Sequence, residues 1–574
     1  MNKRMKKVWG LMLVFACMLS LLGGCKQEKK PEDTDTQKVS EEGQETVDPE
    51  KGTGENEEKQ ENQENQESQE GSGEGETEAA AYFPLAEKED LSLWMIWENS
   101  YMNDPNEMKV VQEMERQTNV HINYQLTSSQ TASEKFGLMI AGGDYPDIVM
   151  GMMTYYSGGI QKGIEDGVFL DMTDYVEQYM PTYLAYAKTN EDAYRMIMSD
   201  EGKFPLVYSF SDSNSGIEGQ QMFLGLTIRK DWLDELELPV PETIEDWHTV
   251  LKAFKEKKNV EAPLMLMNTG VFPYSAFATA FGIGSEWYVE NGMVKYGPAE
   301  EGWKEYLGTL RDWYAEGLID QNFAGQQSMI APSDYMATGR AGAGCNLYVY
   351  GGDMYFKMGF TEDSAINYIA APYPVKNAGD LPRATASENL TCNNFSLTVN
   401  CKNPELAARW LDYQYTDEAM MLYNYGIEGE SYTIDEAGNI AFTDEILHNP
   451  DDYTPSDALG FYFTHTSAPG RQNWEAETYL YDASNYVMQE IWSDVDNSLA
   501  YPDNATMTSE EGDTYNSVYT NLKTLVDEMA TKCIMGSQSL DDFDAYVKDL
   551  YSYGLQDCIA IKQAAYDRFM NRGK

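Results

Sequence analysis

The chain has 574 residues with 41 basic and 95 acidic side chains, which gives a formal net charge of −54 at pH 7. Nucleic-acid-binding proteins present a basic face, so this charge excludes that class of partner. The length exceeds what a single hydrophobic core supports, and we therefore expect at least two lobes.

The N-terminus has the order of an export signal. Basic residues lie within positions 3–7, and the apolar segment 8–22 that follows is too short to span a bilayer comfortably. The sequence Leu-Gly-Gly-Cys that ends at Cys25 resembles the lipobox of bacterial lipoproteins. This resemblance implies removal of residues 1–24 and a diacylglyceryl group on the Cys25 sulfur, which would anchor the protein to the membrane. An ordinary signal peptide that happens to contain Cys25 is the alternative.

Residues 25–80 then form an acidic, low-complexity segment. Residues 26–80 carry six lysines against nineteen acidic residues and are almost free of apolar side chains. Such a segment cannot bury enough surface to offset the entropy of ordering it. We expect a disordered tether between lipid and folded domain, with binding of a partner to its Gln/Asn/Glu repeats as the alternative.

The folded part begins with alternating strand and helix patterns. The sequence predicts, in chain order, a buried strand at 91–97, a helix within 103–119, a strand at 120–126, a helix at 133–143 that ends in glycines, and a strand after the turn at 144–147. This order predicts a parallel sheet with helices on both faces.

The same pattern recurs further along the chain. A strand is predicted at 224–230, a helix begins at Thr243 with Trp247, Leu251 and Phe254 on one face, and a strand follows at 263–268. A second strand–helix–strand unit implies a second α/β lobe.

Cysteines and histidines do not mark a reactive site. Cys392 and Cys401 bracket a predicted strand and lie too far apart for a disulfide, and we expect mostly free, buried thiols. The four histidines lack metal-ligand spacing. The motifs G-x-S-x-G and H-E-x-x-H are absent, and no particular pair of carboxylates is marked as acid and base. The sequence therefore predicts that the protein is not an enzyme and needs no cofactor.

Four segments resemble one known family. They are MIAGGDYPD (139–147), the stretch 227–254, WYAEGLIDQNF (313–323) and the C-terminal YGLQDCIAIKQAAYDRF. In this order, behind a lipobox, they resemble the extracellular solute-binding lipoproteins of carbohydrate ABC importers, in the branch of LplA-like and alginate-binding proteins.

This resemblance implies a two-lobed α/β fold of the periplasmic-binding-protein type II class, with lobes joined by crossover hinge strands. It places the first part of lobe 1 in residues 81–226, lobe 2 in 227–392, and a return to lobe 1 with shared C-terminal helices in 393–574. The implied function is capture of an oligosaccharide by a monomer at the outer face of the cell membrane, for delivery to ABC permease subunits and their ATPase. A peptide-binding or signalling receptor of the same fold is the alternative.

Aromatic and polar residues near strand ends are the candidate ligand contacts. Sugars present C–H faces to aromatic rings and hydroxyls to polar groups. The candidates are Trp97, Tyr101, Asp144, Tyr155, Tyr156, Arg229, Trp287, Tyr348, Tyr350, Trp474 and Glu475. Each has a structural alternative, and for the aromatic residues it is packing in a core.

Three candidates carry specific arguments. Asp144 is expected to present its carboxylate beside the end of a strand, or else to cap a turn. Arg229 is expected to reach the cleft, or else to pair with Asp231. Trp287 is expected in a loop before a turn at Asn291-Gly292, where it would not be core.

Calcium is the one metal that relatives of this kind suggest. The segment DEAGN (435–439) lacks the alternating carboxylates of a calcium loop and is predicted to be a hairpin turn. We therefore expect no metal site.

Overall fold

The computed structural model describes most of the chain from residue 81 onward. It describes residues 81–574 apart from 98, 100–101, 152–154, 157–158, 214–215, 218–223, 267–276, 326–334, 337, 348–365, 386–389, 452, 463–467, 475, 477–478, 480–487 and 489. Cys25 and the predicted tether thus lie outside the described residues. Within the described part, no helix has the length and apolar character needed to cross a bilayer.

Strands and helices alternate along the chain. The strands are β1 (Glu89–Ile96), β2 (Val120–Thr127), β3 (Ile148–Met150), β4 (Val207–Ser213), β5 (Gly216–Ile217), β6 (Leu224–Arg229), β7 (Ala262–Met265), β8 (Trp287–Glu290), β9 (Met293–Tyr296), β10 (Ala341–Leu347), β11 (Tyr368–Ala371), β12 (Thr391–Leu397), β13 (Tyr432–Ile434), β14 (Ile440–Phe442) and β15 (Arg471–Asn473). The α-helices are α1 (Lys109–Thr118), α2 (Ser129–Gly142), α3 (Gly159–Glu165), α4 (Thr173–Tyr179), α5 (Pro181–Ala187), α6 (Glu191–Ile197), α7 (Lys230–Glu235), α8 (Ile244–Ala253), α9 (Glu301–Ala315), α10 (Pro404–Tyr413), α11 (Asp417–Tyr425), α12 (Asp444–Leu447), α13 (Pro455–Leu459), α14 (Ser509–Ile534), α15 (Phe543–Ser552) and α16 (Leu555–Asn571).

The first sheet has the order β15-β4-β12-β3-β1-β2, with β5 paired to β4. β1 is parallel to β2 and β3, β12 is antiparallel to β3 and β4, and β15 is parallel to β4. The predicted strands β1, β2 and β3 are confirmed, but the sheet is mixed rather than wholly parallel because β12 is inserted in the opposite direction. Apart from the short β5, all other strands of this sheet end at one edge, which is the edge where β12 begins.

The second sheet has the order β11-β6-β10-β7. β10 is parallel to β7, whereas β6 runs antiparallel to both β10 and β11. The sheet is therefore also mixed, and the amino end of β6 lies at the edge where β7, β10 and β11 end.

Each sheet has its own hydrophobic core. Leu91, Leu93 and Met95 of β1 are buried in the first core, and Trp94 faces a smaller cluster on the other side of the sheet. The second core contains Trp247 and Leu251 of α8 and Phe254, which directly follows this helix. Their helical spacing predicts this shared burial. Thr243 caps this helix in a capping box with Asp246.

Among the described residues, core membership changes between residues 217 and 226, 384 and 390, and 476 and 488, and again between 492 and 515 and within α16. The first crossing enters the amino end of β6, and the second leads from the carboxyl end of β11 to the amino end of β12. In each sheet, the edge described above therefore lies next to a segment in which the chain passes from one core to the other. Helix α16 is shared, because Leu555 is buried in the second core and Phe569 in the first. The lobe boundaries at 226 and 392 stay predictions.

The thiols behave as the sequence predicts. Cys392, Cys401, Cys533 and Cys558 are free, and all but the half-buried Cys392 are buried. Burial raises the pKa of Cys401 to about 12, so this thiol is protonated and unreactive at neutral pH.

Candidate functional site

The edge where strands of the first sheet end is the candidate site. Open α/β sheets bind ligands at the carboxyl ends of their strands. Trp97 follows β1, Tyr155 lies five residues after β3, and Trp474 follows β15. The strand directions therefore bring these three predicted aromatic residues to one edge.

Trp97 is held firmly at this edge. Its side chain is 8 % exposed, and its indole N–H donates to the carbonyl of Met102 at 2.7 Å. Its main-chain N–H bonds the carbonyl of Thr127, at the end of the neighbouring strand, at 2.8 Å. A ligand at the edge would therefore meet a fixed ring.

Tyr155 and Tyr156 belong to the small cluster on the other face of the sheet. The Tyr155 ring lies 6.0 Å from the ring of Trp94 and is also adjacent to Gly151, directly after β3. Tyr156 donates its hydroxyl to Asp166 at 2.7 Å, and burial together with this carboxylate raises its pKa to about 12. The hydroxyl of Tyr156 is therefore already bonded within this cluster.

Trp474 lies at the far end of the edge from Trp97. It is 9 % exposed, and its main-chain N–H donates to the carbonyl of Asp212 at 3.0 Å. The carboxylate of Asp212 in turn receives the Nε–H of Arg471 at 2.8 Å. Sequence reasoning missed both residues, because Arg471-Gln472-Asn473 is too short and polar to be predicted as a strand.

Four strand spacings separate Trp474 from Trp97. In the sheet order, β4, β12 and β3 lie between β15 and β1. At about 4.8 Å per spacing the two tryptophans are roughly 19 Å apart along the edge. This span is longer than a single sugar ring.

Asp144 lies away from this edge. It comes before β3 and is exposed, so it sits at the edge where the parallel strands begin rather than where they end. Asp144 therefore lies at the opposite edge of the sheet from Trp97, Tyr155 and Trp474. In the same turn, Asp147 holds the strands together by accepting the hydroxyl of Ser92 at 2.6 Å and its N–H at 2.8 Å.

Arg229 also lies at the wrong edge for a cleft residue. Because β6 is antiparallel to its neighbours, its last residue is in register with Tyr368, where β11 begins. The side chain is buried, donates to Asp231 with Nε at 2.6 Å, and lies 4.0 Å from the ring centre of Trp232. The structure thus shows the ion pair that was the alternative for this residue.

Trp287 lies in a hairpin and not in a loop. β8 and β9 pair across Asn291 and Gly292, whose φ angles of +52° and +77° suit a two-residue turn. The indole ring centre is 4.6 Å from that of Tyr296, and its N–H donates to the hydroxyl of Tyr515 at 2.9 Å. These contacts assign Trp287 to packing against the second core.

The remaining candidates, Tyr101, Tyr348, Tyr350 and Glu475, lie outside the described residues. Gly342 and Gly344, shortly before Tyr348, lie in strand β10.

The segment 435–439 forms the predicted hairpin turn between β13 and β14. Asp435 accepts the main-chain N–H groups of Ala437 and Asn439 at 2.8 and 2.9 Å and the Asn439 amide at 2.8 Å. The hydrogen bonds from Asn439 lower the pKa of Asp435. Both carboxylate oxygens are thus used within the turn, which does not fit a calcium loop. No cluster of three potential metal ligands occurs in the described part of the chain.

Comparison with known proteins identifies the family. The model of the bacterial extracellular solute-binding protein family matches residues 103–421, which is more than half of the chain. The chain belongs to this family. Known structures with the same two-lobed periplasmic-binding-protein-like fold agree with the two cores described above.

Two of the relatives of this chain are named for binding oligosaccharides or polysaccharides. The fructooligosaccharide ABC transporter substrate-binding protein FusA of Streptococcus pneumoniae is 26 % identical over 85 % of this chain and 92 % of its own length. The polygalacturonan/rhamnogalacturonan-binding protein YtcQ of Bacillus subtilis is 22 % identical over 81 % of this chain and 89 % of its own. The crystal structure of alginate-binding protein AlgQ2 without calcium ion has a TM-score of 0.65 and 24 % identity, and covers 85 % of this chain and 99 % of AlgQ2.

Proposed function

We propose that this solute-binding protein captures an oligosaccharide in the cleft between its lobes, at the extracellular face of the cell membrane, and delivers it to an ABC permease. The observation that carries the proposal is the row of fixed aromatic residues at the strand-end edge of the first sheet. The family, and relatives named for binding fructooligosaccharides and polygalacturonan, support the same class of ligand.

The chemistry of the edge suits a sugar chain. An aromatic ring covers the C–H face of a sugar, whereas hydroxyls need hydrogen-bonding groups around it. Trp97 and Trp474 mark the ends of a span of roughly 19 Å. This length favours an oligosaccharide over a monosaccharide.

Transport needs a closed form that the permease recognises. A ligand favours closure only through contacts made to both lobes, because equal affinity for open and closed states shifts no population. We expect the lobes to close by bending where the chain passes from one lobe to the other. We expect the permease subunits, with their ATPase, to bind the closed monomer.

The class of ligand is tested by thermal denaturation with panels of neutral oligosaccharides and of peptides. A ligand at one hundred times its Kd stabilises the folded state by about 2.7 kcal/mol, which a melting curve detects. We expect stabilisation by oligosaccharides, and unchanged sugars when the mixtures are analysed by chromatography. Stabilisation by peptides alone would favour the receptor alternative, and cleaved sugars would show an enzyme.

Lipid on Cys25 is expected to hold the protein at the membrane. Cys25→Ala removes the acceptor sulfur, so the protein should appear in the medium or remain an uncleaved precursor. Fractionation of cells and blotting measure this. The anchor is wrong if the variant is still acylated and membrane-bound.

The segment before residue 81 is expected to act only as a tether. A protein that begins near Ala81 should keep the melting temperature and ligand affinity of the mature chain, because no core contact is removed. Differential scanning calorimetry of both forms compares them. A clear drop in either property would show that residues 26–80 pack on the folded part.

A further inference from the structure

A buried ion pair joins β4 and β15 just before Trp474. Asp212, at the end of β4, has a fully buried carboxylate (0 % exposed). It accepts the Nε–H of Arg471 at 2.8 Å, the hydroxyl of Tyr186, and the N–H of Ser213 at 3.0 Å. Arg471 has a side chain only 8 % exposed, and its guanidinium lies 4.2 Å from the ring centre of Tyr186.

The same network fixes the main chain on both sides of Trp474. The main-chain carbonyl of Arg471 accepts from the side-chain Nδ2 of Asn424 at 2.9 Å, and the main-chain N–H of Asn473 donates to the side-chain Oδ1 of Asn424 at 2.8 Å. The N–H of Trp474 reaches the carbonyl of Asp212 at 3.0 Å. The side chain of Asn473 then accepts the N–H of Ala476 at 3.2 Å.

This arrangement is not explained by stability alone. A buried ion pair loses the hydration of both charges and often stabilises a fold no better than apolar side chains of similar size. What a fully bonded polar network provides is one fixed geometry. The network stands at the edge that carries the candidate site, and it fixes the main chain of β15, which Trp474 directly follows.

We propose that Asp212 and Arg471 are positioning residues for oligosaccharide binding, which hold Trp474 ready to stack on a sugar ring. This inference rests on the proposed function. A ring that is already ordered loses less entropy when the ligand binds, so the network contributes to affinity without touching the sugar.

A double-mutant cycle tests whether Asp212 acts through Trp474. Calorimetry is done with a glycan that binds the wild type, on Asp212→Asn, Trp474→Ala and the double variant, each with its melting temperature. We expect a roughly three- to tenfold loss for Asp212→Asn and a roughly five- to thirtyfold loss for Trp474→Ala. The double variant should bind no more than about twofold weaker than Trp474→Ala, because coupled residues are not additive.

Two further variants keep the test decisive. Arg471→Lys retains the charge but loses the planar fork, so we expect a similar loss in affinity. It replaces Asp212→Asn in the cycle if that variant does not fold. Asp231→Asn is the matched control, because it breaks another Arg–Asp pair, with Arg229, at the opposite edge of the other sheet. It should lower the melting temperature and leave affinity unchanged.

The outcomes separate the two proposals. Additive losses in the cycle, or an equal loss of affinity in Asp231→Asn, would show that the network has only a structural role and would overturn the inference while oligosaccharide binding stands. If no glycan binds the wild type, the proposed function itself fails, and the inference fails with it.

Discussion

Replacing Trp492 by alanine should lower the free energy of unfolding by about 3–5 kcal/mol, the usual loss for a large aromatic residue removed from a core. The Trp492 side chain is 0 % exposed and its indole N–H donates to the carbonyl of Leu226 at 3.0 Å. The ring lies flat against Gly225, where an added Cβ would be 2.3–2.4 Å from ring atoms. Trp492 thus packs on β6 directly after the first crossing. Urea denaturation followed by circular dichroism measures the loss.

Gly225 supplies the control for this contact. Gly225→Ala should destabilise by about 1–3 kcal/mol, because the new methyl group overpacks the ring. In the variant that carries both changes, the methyl group no longer meets the ring. Its loss of stability should therefore be smaller than the sum of the losses in the two single variants. A Gly225→Ala protein as stable as the wild type would contradict the contact.

Replacing Asp200 by alanine should cost about 3–5 kcal/mol, because it leaves a buried guanidinium without its carboxylate. Asp200 accepts Nε–H groups from Arg568 and Arg572, each at 2.7 Å, and the Arg572 side chain is 2 % exposed. After the change, the hydrogen bonds of Arg572 to the described residues are those to the neutral oxygens of Asn504 and Thr506. These bonds tie the end of the shared helix α16 to the first lobe. The same denaturation experiment measures the change.

An exposed pair on α14 is the matched control. Lys532 and Glu528 lie one turn apart at 2.7 Å, with side chains 52 % and 58 % exposed. Removing Glu528 should cost less than about 1 kcal/mol, the usual value for surface pairs. If Asp200→Ala costs no more than Glu528→Ala, the burial of the Asp200 pair has no energetic role.

Much of the first lobe could be predicted because its strands are apolar and its turns carry clear signals. β1 is a run of mostly apolar residues, and β2 alternates between apolar and polar residues. Gly143 ends α2 with a φ of +71°. The hairpin β8–β9 also had a signal, since Asn291-Gly292 stands between aromatic and β-branched residues. The prediction of Trp287 in a loop overlooked this hairpin signal.

Strand direction, in contrast, could not be read from the sequence. Arg229 was expected at the cleft because the resemblance aligns its strand with the first crossover between the lobes. The direction of this strand, β6, is fixed by pairing with β10, more than one hundred residues later, and local patterns carry no information on such a partner. Arg471 escaped prediction for a similar reason, because its burial depends on Asp212, which is distant in sequence.

Isothermal titration calorimetry of the wild-type protein, with neutral oligosaccharides of increasing length, tests the proposed function most directly. We expect binding in the micromolar range, about −8 kcal/mol, for a favoured oligosaccharide. Affinity should rise from the monosaccharide to chains that span roughly 19 Å, the separation of the tryptophans along the edge. Equal affinity for the monosaccharide, or binding of peptides when no glycan binds, would contradict an oligosaccharide site at this edge.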